Sequence, residues 1–320
     1  MPVHPLIAAR FPLLAGIASF KEGFNDPEAA ERWIAYAAAP YGAYSLPDLD
    51  IENRLIPGQH GSIPVRIYRP HGVEERLPGL LWMHGGAFIG GDLEMAEAHI
   101  VSAELAARGA VVVSVDYRLA TEAVRYPVPL DDVSAAWDWF VSSAEQWGID
   151  AARLTIGGAS AGGNLATATT LRARDESRPL PAALLLAYPV LHFPVPALPD
   201  ELAVEMHQLP GFLRFPATTM VEMIHGYLGR ISDLPAYAMP GHGNLANLPP
   251  TRILLSDYDD LRSSGELFEQ QLREVGVPVA STVAVGMLHG HLNSAPVAEL
   301  PEIERSIDFL AEPLAASRAG

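Results

Sequence analysis

The sequence contains no cysteine among its 320 residues. This absence excludes disulfide bonds, thiolate metal ligands and a cysteine nucleophile, and nothing else in the composition points to an oxidising compartment. Positive charge is scarce as well, because 21 Lys and Arg stand against 38 Asp and Glu, for a formal net charge of -17 at pH 7. Such an acidic chain is a poor partner for nucleic acid and for anionic membrane surfaces.

Long apolar runs are also missing, and no stretch is long enough to span a membrane. The apolar stretch from Phe11 to Phe20 is short, contains Pro12 and lacks a small-residue cleavage site before Lys21. We therefore expect an amphipathic helix there rather than a secretion signal, and a cytoplasmic protein. Hydrophobic residues still make up 49% of the chain, which is enough for a large folded core.

Strand-like and helix-like segments alternate from residue 50 onward, which is typical of a doubly wound, mostly parallel α/β sheet. The first predicted strand alternates like an edge strand and the later ones are more continuously apolar; together they cover 63–68, 80–83, 111–117, 153–156, 183–188, 252–256 and 280–285. Three predicted helices, 93–108, 130–147 and 264–275, are each followed by a glycine, where a left-handed cap is expected.

Two regions interrupt this alternation. Residues 1–48 are helical without strands, and residues 189–249 are too long for a plain loop between two strands. We expect them to form a helical cap over a catalytic domain made of 49–188 and 250–320. Four side chains are candidates for the wall of a substrate pocket, with packing in the cap's own core as the alternative for the last three: Phe88, Met206, Phe212 and Phe215.

One serine is surrounded by small residues in the stretch GGASAGGNL, residues 157–165. It fits the G-x-S-x-G pattern, in which a sharp strand-to-helix turn exposes Ser160 as a nucleophile with the N–H of Ala161 beside it. Residues two positions away must be small, because their β-carbons would collide in the turn. A glycine-rich helix start or a phosphate-binding loop is the alternative, but the stretch lacks the lysine of a P-loop and the G-x-G-x-x-G spacing.

A second glycine-rich stretch, HGGAF at residues 84–88, follows the predicted strand 80–83. Consecutive glycines after a strand can turn backbone N–H groups toward a developing oxyanion, which a serine hydrolase needs next to its nucleophile. An ordinary glycine turn braced by His84 is the alternative.

The remaining candidates for a catalytic triad lie late in the chain. His289, in GMLHGH, follows the last predicted strand, where a general base is expected in the order serine, acid, histidine. Its neighbour His291 raises the alternative of a His-x-His metal site, but no third ligand is evident, so we expect no metal and no cofactor. The acid lies in SDYDDL, and the pattern alone does not choose among Asp257, Asp259 and Asp260.

These motifs, taken in chain order, resemble the hormone-sensitive-lipase-like family of bacterial esterases, which has the α/β-hydrolase fold. The resemblance runs from about Ile63 to the C-terminus and rests on HGGAF, DYRLATE, GASAGGNL, SDYDDLRSSG and GMLHGH. It implies that Asp259 is the acid that orients His289. It also implies a helical N-terminal cap, a homodimer as a compatible state, and an oxyanion hole formed by the N–H groups of Gly85, Gly86 and Ala161.

The chain departs from that family's pattern at five positions. Ala87 stands where a third glycine is frequent, Ala159 replaces an acidic residue, and His291 replaces a phenylalanine. Asp260 and Thr121 each stand where proline is common. None of these changes removes a catalytic group, so they bear on substrate preference and not on the type of reaction.

The sequence thus predicts a serine carboxylesterase that acts on small-molecule esters. Short acyl chains are expected, because the acidic surface and the lack of a basic amphipathic helix give no means of docking on an anionic lipid surface. The bacterial members of the family that the chain resembles are also mostly short-chain esterases. The alternatives are an amidase or lactonase with the same triad, and a non-catalytic binding protein on the same fold.

Overall fold

The structure, a computed structural model, describes residues 2–19, 22–23, 26–38 and 40–315. Its centre is one sheet of eight strands: β1 (Asp50–Ile56), β2 (Ile63–Arg69), β3 (Leu77–Met83), β4 (Val111–Val115), β5 (Ile149–Ala159), β6 (Ala183–Ala187), β7 (Thr251–Tyr258) and β8 (Val279–Leu288). The strand order is β1-β2-β4-β3-β5-β6-β7-β8. β2 pairs antiparallel with both β1 and β4, and all other pairs are parallel.

Helices cover both faces of this sheet. In chain order, the α-helices of the described residues, including those of the N-terminal segment and the insertion, are α1 (Pro5–Ala8), α2 (Pro27–Ala38), α3 (Ala96–Ala107), α4 (Val128–Ser143), α5 (Ala161–Asp175), α6 (Asp200–Met206), α7 (Ala217–Leu228), α8 (Arg262–Glu274) and α9 (Pro301–Ala311). One apolar core lies between the sheet and α4, α5 and α8, and a second lies between its other face and α3 and α9. β4 contributes to both cores and is buried along its whole length, as a central strand should be.

The predicted α/β-hydrolase fold is confirmed, with one correction at the edge of the sheet. The strand predicted at 63–68 is not an edge strand, because β1 pairs with it along its whole length. β1 was not predicted, because six of its seven residues are exposed and the strand therefore has no buried apolar face that a sequence pattern could show. The predicted helix ends are correct: Gly109, Gly148 and Gly276 have φ of 99°, 67° and 75°.

The N-terminal segment and the insertion between β6 and β7 pack against each other. Leu14, Ile17 and Ala29 form a small apolar cluster with Phe212 of the insertion. The ring of Trp33 lies 4.7 Å from the ring of Phe212, measured between centroids. The expected N-terminal segment 1–48 also includes residues 1, 20, 21, 24, 25 and 39, which lie outside the described residues. In the described part of the chain, no helix is both long enough and apolar enough to cross a membrane.

Candidate active site

Ser160 lies on a sharp turn between the end of β5 and the start of α5. Its backbone has φ 51° and ψ −114°, a conformation that non-glycine residues rarely adopt. The turn is tight enough to exclude β-carbons: one built on Gly158 would lie 2.5 Å from the carbonyl carbon of Gly162, and one on Gly162 would lie 2.3 Å from the Met83 oxygen. The small residues around the serine are therefore a steric requirement of the turn, as the sequence pattern predicts.

Three side chains from separate loops form a continuous hydrogen-bonded relay. His289 Nε2 lies 3.0 Å from Ser160 Oγ, and His289 Nδ1 lies 2.8 Å from Asp259 Oδ2. Asp259 is 1% exposed, and its second oxygen accepts the N–H of Leu261 at 2.8 Å. Ser160 is 8% exposed and the side chain of His289 is 10% exposed, so the acid is the most deeply buried of the three. The structure therefore brings together the serine, acid and histidine that the sequence and its family resemblance predict.

The two neighbouring aspartates have other partners. Asp257 accepts from Arg262 at 2.9 Å and from the N–H of Gly286 at 2.9 Å. Asp260 forms a bidentate ion pair with Arg214 of the insertion, at 2.8 and 2.9 Å. Geometry therefore separates three carboxylates that the sequence pattern alone left equivalent.

The imidazole of His289 is buried among charges that favour its protonated form. Burial lowers the pKa of His289, but the charge and hydrogen bond of Asp259 outweigh it, and the charges of Glu97 and Asp260 add to the rise. The net pKa lies above the ordinary value of 6.5. Two aromatic rings approach the imidazole edge-on, Tyr188 at 5.0 Å and Phe215 at 4.7 Å between centroids. The site can therefore stabilise the imidazolium that forms when the serine loses its proton.

The HGGAF loop lies beside the serine, but one expected donor is used elsewhere. The N–H of Gly85 donates to Glu97 Oε1 at 2.6 Å, so the assignment of Gly85 to the oxyanion hole is corrected. The N–H groups of Gly86, Ala87 and Ala161, by contrast, have no acceptor among the described residues. Ala87 has φ 55°, so the loop continues past Gly86 in the left-handed region. The two HGGAF amides without an acceptor, those of Gly86 and Ala87, thus lie one residue further along the loop than the expected pair, Gly85 and Gly86.

Glu97, which no sequence pattern indicates, links three loops of the site. Besides Gly85, its carboxylate accepts the O–H of Tyr188 at 2.5 Å and the side-chain amide of Asn293 at 3.3 Å. Burial raises the pKa of Glu97, while the hydrogen bonds from Tyr188 and Gly85 and the charge of His289 lower it in part. No local signal identifies this residue, because an acid in the first turn of a helix is a common exposed feature.

The four candidates for a pocket wall have different surroundings. Phe88 and Met206 are 0% exposed and Phe212 is 3% exposed, so these three side chains fill apolar packing and do not line an open pocket. Phe88 stacks on Tyr227 at 3.9 Å, and Phe212 packs on Trp33. This corrects the expectation for those three residues. Phe215 is partly exposed and contacts the ring of His289.

His291 is part of the buried frame below the triad. Its Nδ1 lies 3.0 Å from Ser256 Oγ and its Nε2 lies 3.1 Å from Ser306 Oγ, so both ring nitrogens are occupied. Burial lowers the pKa of His291 to about 3, which keeps the ring neutral. Among the described residues, no group of three or more His, Asp or Glu side chains is arranged to hold a metal ion.

Comparison with known proteins agrees with this geometry. The profile of a family with the α/β-hydrolase fold matches residues 80–293. The chain belongs to this family. It is 35% identical to carboxylesterase NlhH of Mycobacterium tuberculosis over 269 residues, which are 79% of this chain and 78% of the relative. It is 29% identical to ethyl acetate hydrolase of Pseudomonas putida over 93% of this chain and 95% of that protein.

Solved structures extend the likeness to the whole chain. A hyperthermophilic esterase from the archaeon Pyrobaculum calidifontis superposes with a TM-score of 0.83 at 31% identity and covers 98% of both chains. A bacterial heroin esterase superposes with a TM-score of 0.80 at 28% identity, again over 98% of both chains. The resemblance to the hormone-sensitive-lipase-like esterases and the enzyme class, carboxylic ester hydrolase, are confirmed.

Proposed function

We propose that this chain hydrolyses short-chain acyl esters through a Ser160–His289–Asp259 triad and an acyl-enzyme intermediate. The observation that carries the proposal is the unbroken relay from Ser160 Oγ through the imidazole to Asp259, at 3.0 and 2.8 Å. Asp259 holds His289 with Nε2 directed at the serine and stabilises the imidazolium. A non-catalytic binding protein would not require a histidine and an aspartate hydrogen-bonded in series to a serine with a strained backbone.

The reaction has two steps, acylation of Ser160 and hydrolysis of the acyl-enzyme. Ser160 Oγ attacks the ester carbonyl carbon while His289 Nε2 takes the serine proton. The tetrahedral intermediate collapses as the imidazolium returns that proton to the leaving alcohol oxygen, and the acyl group stays on Ser160. Water then attacks the acyl-enzyme with the same proton transfers and releases the carboxylic acid. No metal or organic cofactor takes part in these steps.

The oxyanion is held by backbone amides. We assign this role to the N–H groups of Ala161, which directly follows Ser160, and of Gly86 and Ala87 in the HGGAF loop, because none of the three has another acceptor among the described residues. Each such donor contributes about 10²–10³ in rate in comparable enzymes. An alanine at position 87 can replace the third glycine of the family pattern, because only the backbone N–H is needed as a donor. The Ala87 methyl group narrows the space beside the substrate.

A cap made of residues 1–48 and 189–249 over a catalytic domain of 49–188 and 250–320 fits the contacts of Phe212 with the N-terminal cluster. Under such a cap the acyl site is short. Each added methylene stabilises binding by about 0.8 kcal/mol only while apolar wall remains to bury it. The P. putida relative named for ethyl acetate supports a preference for acetyl to about hexanoyl esters.

Other properties of the protein stay predictions from its composition and family. We propose a cytoplasmic enzyme whose only substrates are small molecules, without nucleic acid or membrane partners, because the net charge of -17 repels anionic surfaces. A homodimer is compatible with the resemblance, and its test is the molar mass in solution.

A panel of p-nitrophenyl esters with acyl chains of two to sixteen carbons tests the proposal. We expect kcat/KM to be highest between two and six carbons, and Ser160→Ala to lower kcat by about 10⁴–10⁶. A maximum at twelve carbons or more contradicts the short-chain preference. Near wild-type turnover by Ser160→Ala contradicts the mechanism, and faster cleavage of matched amides or lactones assigns the same triad to a different bond.

A further inference from the structure

Arg214 and Asp260 connect the insertion to the loop that carries the catalytic acid. Arg214 Nε donates to Asp260 Oδ2 at 2.8 Å and Nη2 donates to Oδ1 at 2.9 Å, which is the bidentate geometry of a strong pair. The two side chains are 15% and 10% exposed. Arg214 Nη1 also donates to the carbonyl of Met206 at 2.5 Å, so one guanidinium joins two parts of the insertion to this loop.

The same carboxylate fixes the residue that lies on the triad. The N–H of Phe215 donates to Asp260 Oδ2 at 2.7 Å. The ring of Phe215 meets the imidazole of His289 edge-on, with the ring centroids 4.7 Å apart. Since Asp260 directly follows Asp259, which bonds His289, both sides of this contact are held from one short loop.

We propose that the Arg214–Asp260 ion pair is a positioning device that holds Phe215 against His289 and thereby sets which esters the site accepts. This inference rests on the proposed esterase function. It also belongs to this chain in particular, because Asp260 stands where the family that the sequence resembles commonly has proline, which offers no carboxylate to an arginine. Asp260, one of the residues that depart from the family pattern, thus has a defined role.

The ion pair acts on the fraction of molecules in which the insertion is closed over His289. Without the ion pair, segment 206–215 loses its charged contacts with Asp260 and spends part of the time away from His289. The affinity for a substrate that needs Phe215 in place falls by the fraction of molecules still closed. Turnover of bound substrate stays near normal, because Ser160, His289 and Asp259 do not depend on Arg214 for their mutual hydrogen bonds.

Arg214→Met and Asp260→Asn test the device by steady-state kinetics on p-nitrophenyl butyrate. We expect KM to rise about tenfold in both while kcat stays within about threefold, and the preference among acyl lengths to flatten. The matched control is Arg178→Met, which removes a similarly exposed guanidinium that pairs with Asp138 and Glu176. That variant should keep the wild-type KM and acyl profile.

The two variants also separate positioning from electrostatics. Asp260, with Asp259 and Glu97, helps to raise the pKa of His289. Loss of the Asp260 charge should lower the pKa seen in the acidic limb of kcat/KM, whereas loss of the Arg214 charge should raise it. A positioning role makes both variants raise KM in the same direction, although their acidic limbs move in opposite directions. Opposite KM effects that follow the charge overturn the proposal.

Phe215→Leu completes the test through a double-mutant cycle. If the ion pair acts through Phe215, adding Arg214→Met to Phe215→Leu should change KM less than about twofold, because both changes remove one contact. Additive effects overturn the proposal. If Arg214→Met fails to fold, Arg214→Lys replaces it, since a lysine keeps the charge but not the bidentate geometry; a wild-type KM in the Lys variant would likewise count against it.

Limited proteolysis tests the positioning role without measuring ester turnover, so its result does not depend on the proposed function. Chymotryptic cleavage after Phe212 or Leu213 should be faster in Arg214→Met than in wild type and in Arg178→Met, because the freed segment opens locally. Unchanged cleavage together with unchanged KM overturns the positioning role alone. Activity that survives Ser160→Ala overturns the proposed function, whatever the behaviour of Arg214.

Discussion

The amide N–H of Gly85 donates across 2.6 Å to Glu97, a carboxylate that is 1% exposed and lies 12 residues along the chain. This bond engages the N–H of Gly85, while the next two amides of the HGGAF loop have no acceptor among the described residues. Because the same carboxylate accepts hydrogen bonds from Asn293 and from Tyr188, whose ring contacts His289, it joins the HGGAF loop to the surroundings of the histidine.

Glu97→Gln should therefore lower kcat by about tenfold with little change in KM, since it weakens a donor geometry that matters most in the transition state. It should also shift the acidic limb of kcat/KM to lower pH, because the charge of Glu97 helps to raise the pKa of His289. Steady-state kinetics from pH 5 to 9 give both quantities. The control is Glu94→Gln, the same change at an exposed residue of the preceding turn; equal effects in the two variants argue against this role.

Asp259→Asn should cost about 10⁴ in kcat through the wrong histidine tautomer. The sign of the pH effect follows from the raised pKa of His289: the base works only when neutral, so wild-type activity rises with pH through a pKa above 6.5. Removing the Asp259 charge moves that limb to lower pH. Asp257→Asn is the matched control. If that variant instead lost about 10⁴-fold in kcat, Asp257 and not Asp259 would be the acid.

Ser160 occupies a backbone conformation that glycine adopts with less strain, with φ 51° and ψ −114°. Ser160→Gly should therefore be about 1–3 kcal/mol more stable than Ser160→Ala, although both are inactive. Urea unfolding of the two variants measures the difference. In the exposed helical position Ser142 the order should reverse, with Gly less stable than Ala by about 1 kcal/mol. The same order at both positions would show that the turn stores no strain.

His291→Phe introduces the residue that the family commonly has at this position. It should lower the free energy of unfolding by about 1–3 kcal/mol, because the hydroxyls of Ser256 and Ser306 lose their imidazole partner in a buried place. Burial lowers the pKa of His291 to about 3 in the folded chain, whereas an unfolded histidine titrates near pH 6.5, so the wild type loses stability as pH falls below that value and the Phe variant does not. The loss on substitution should therefore be constant at alkaline pH and shrink toward pH 5. Chemical denaturation across that range, with kcat measured in parallel, checks it; a large fall in kcat with unchanged stability contradicts a purely structural role.

Features that depend on residues close together in the sequence could be predicted from it. The elbow around Ser160 is one, because its tight turn excludes β-carbons at Gly158 and Gly162, and that requirement is visible in the residue types. The buried parallel strands are another, because their continuous apolar runs follow from burial on both faces. The chain order of serine, acid and histidine, together with the family resemblance, then indicated the triad.

Only the tertiary structure decided how distant segments share partners. Nothing local marks Glu97 as the acceptor for Gly85, or Arg214 as the partner of Asp260, because each pairing joins surfaces that meet only when the sheet and insertion are folded. β1 escaped prediction because edge pairing depends on backbone hydrogen bonds and leaves its side chains exposed. The aromatic pocket candidates show the same limit. Phe212 and Phe215 are equally apolar and three residues apart, yet one packs in the N-terminal cluster and the other contacts His289, since the fold around them sets what each ring touches.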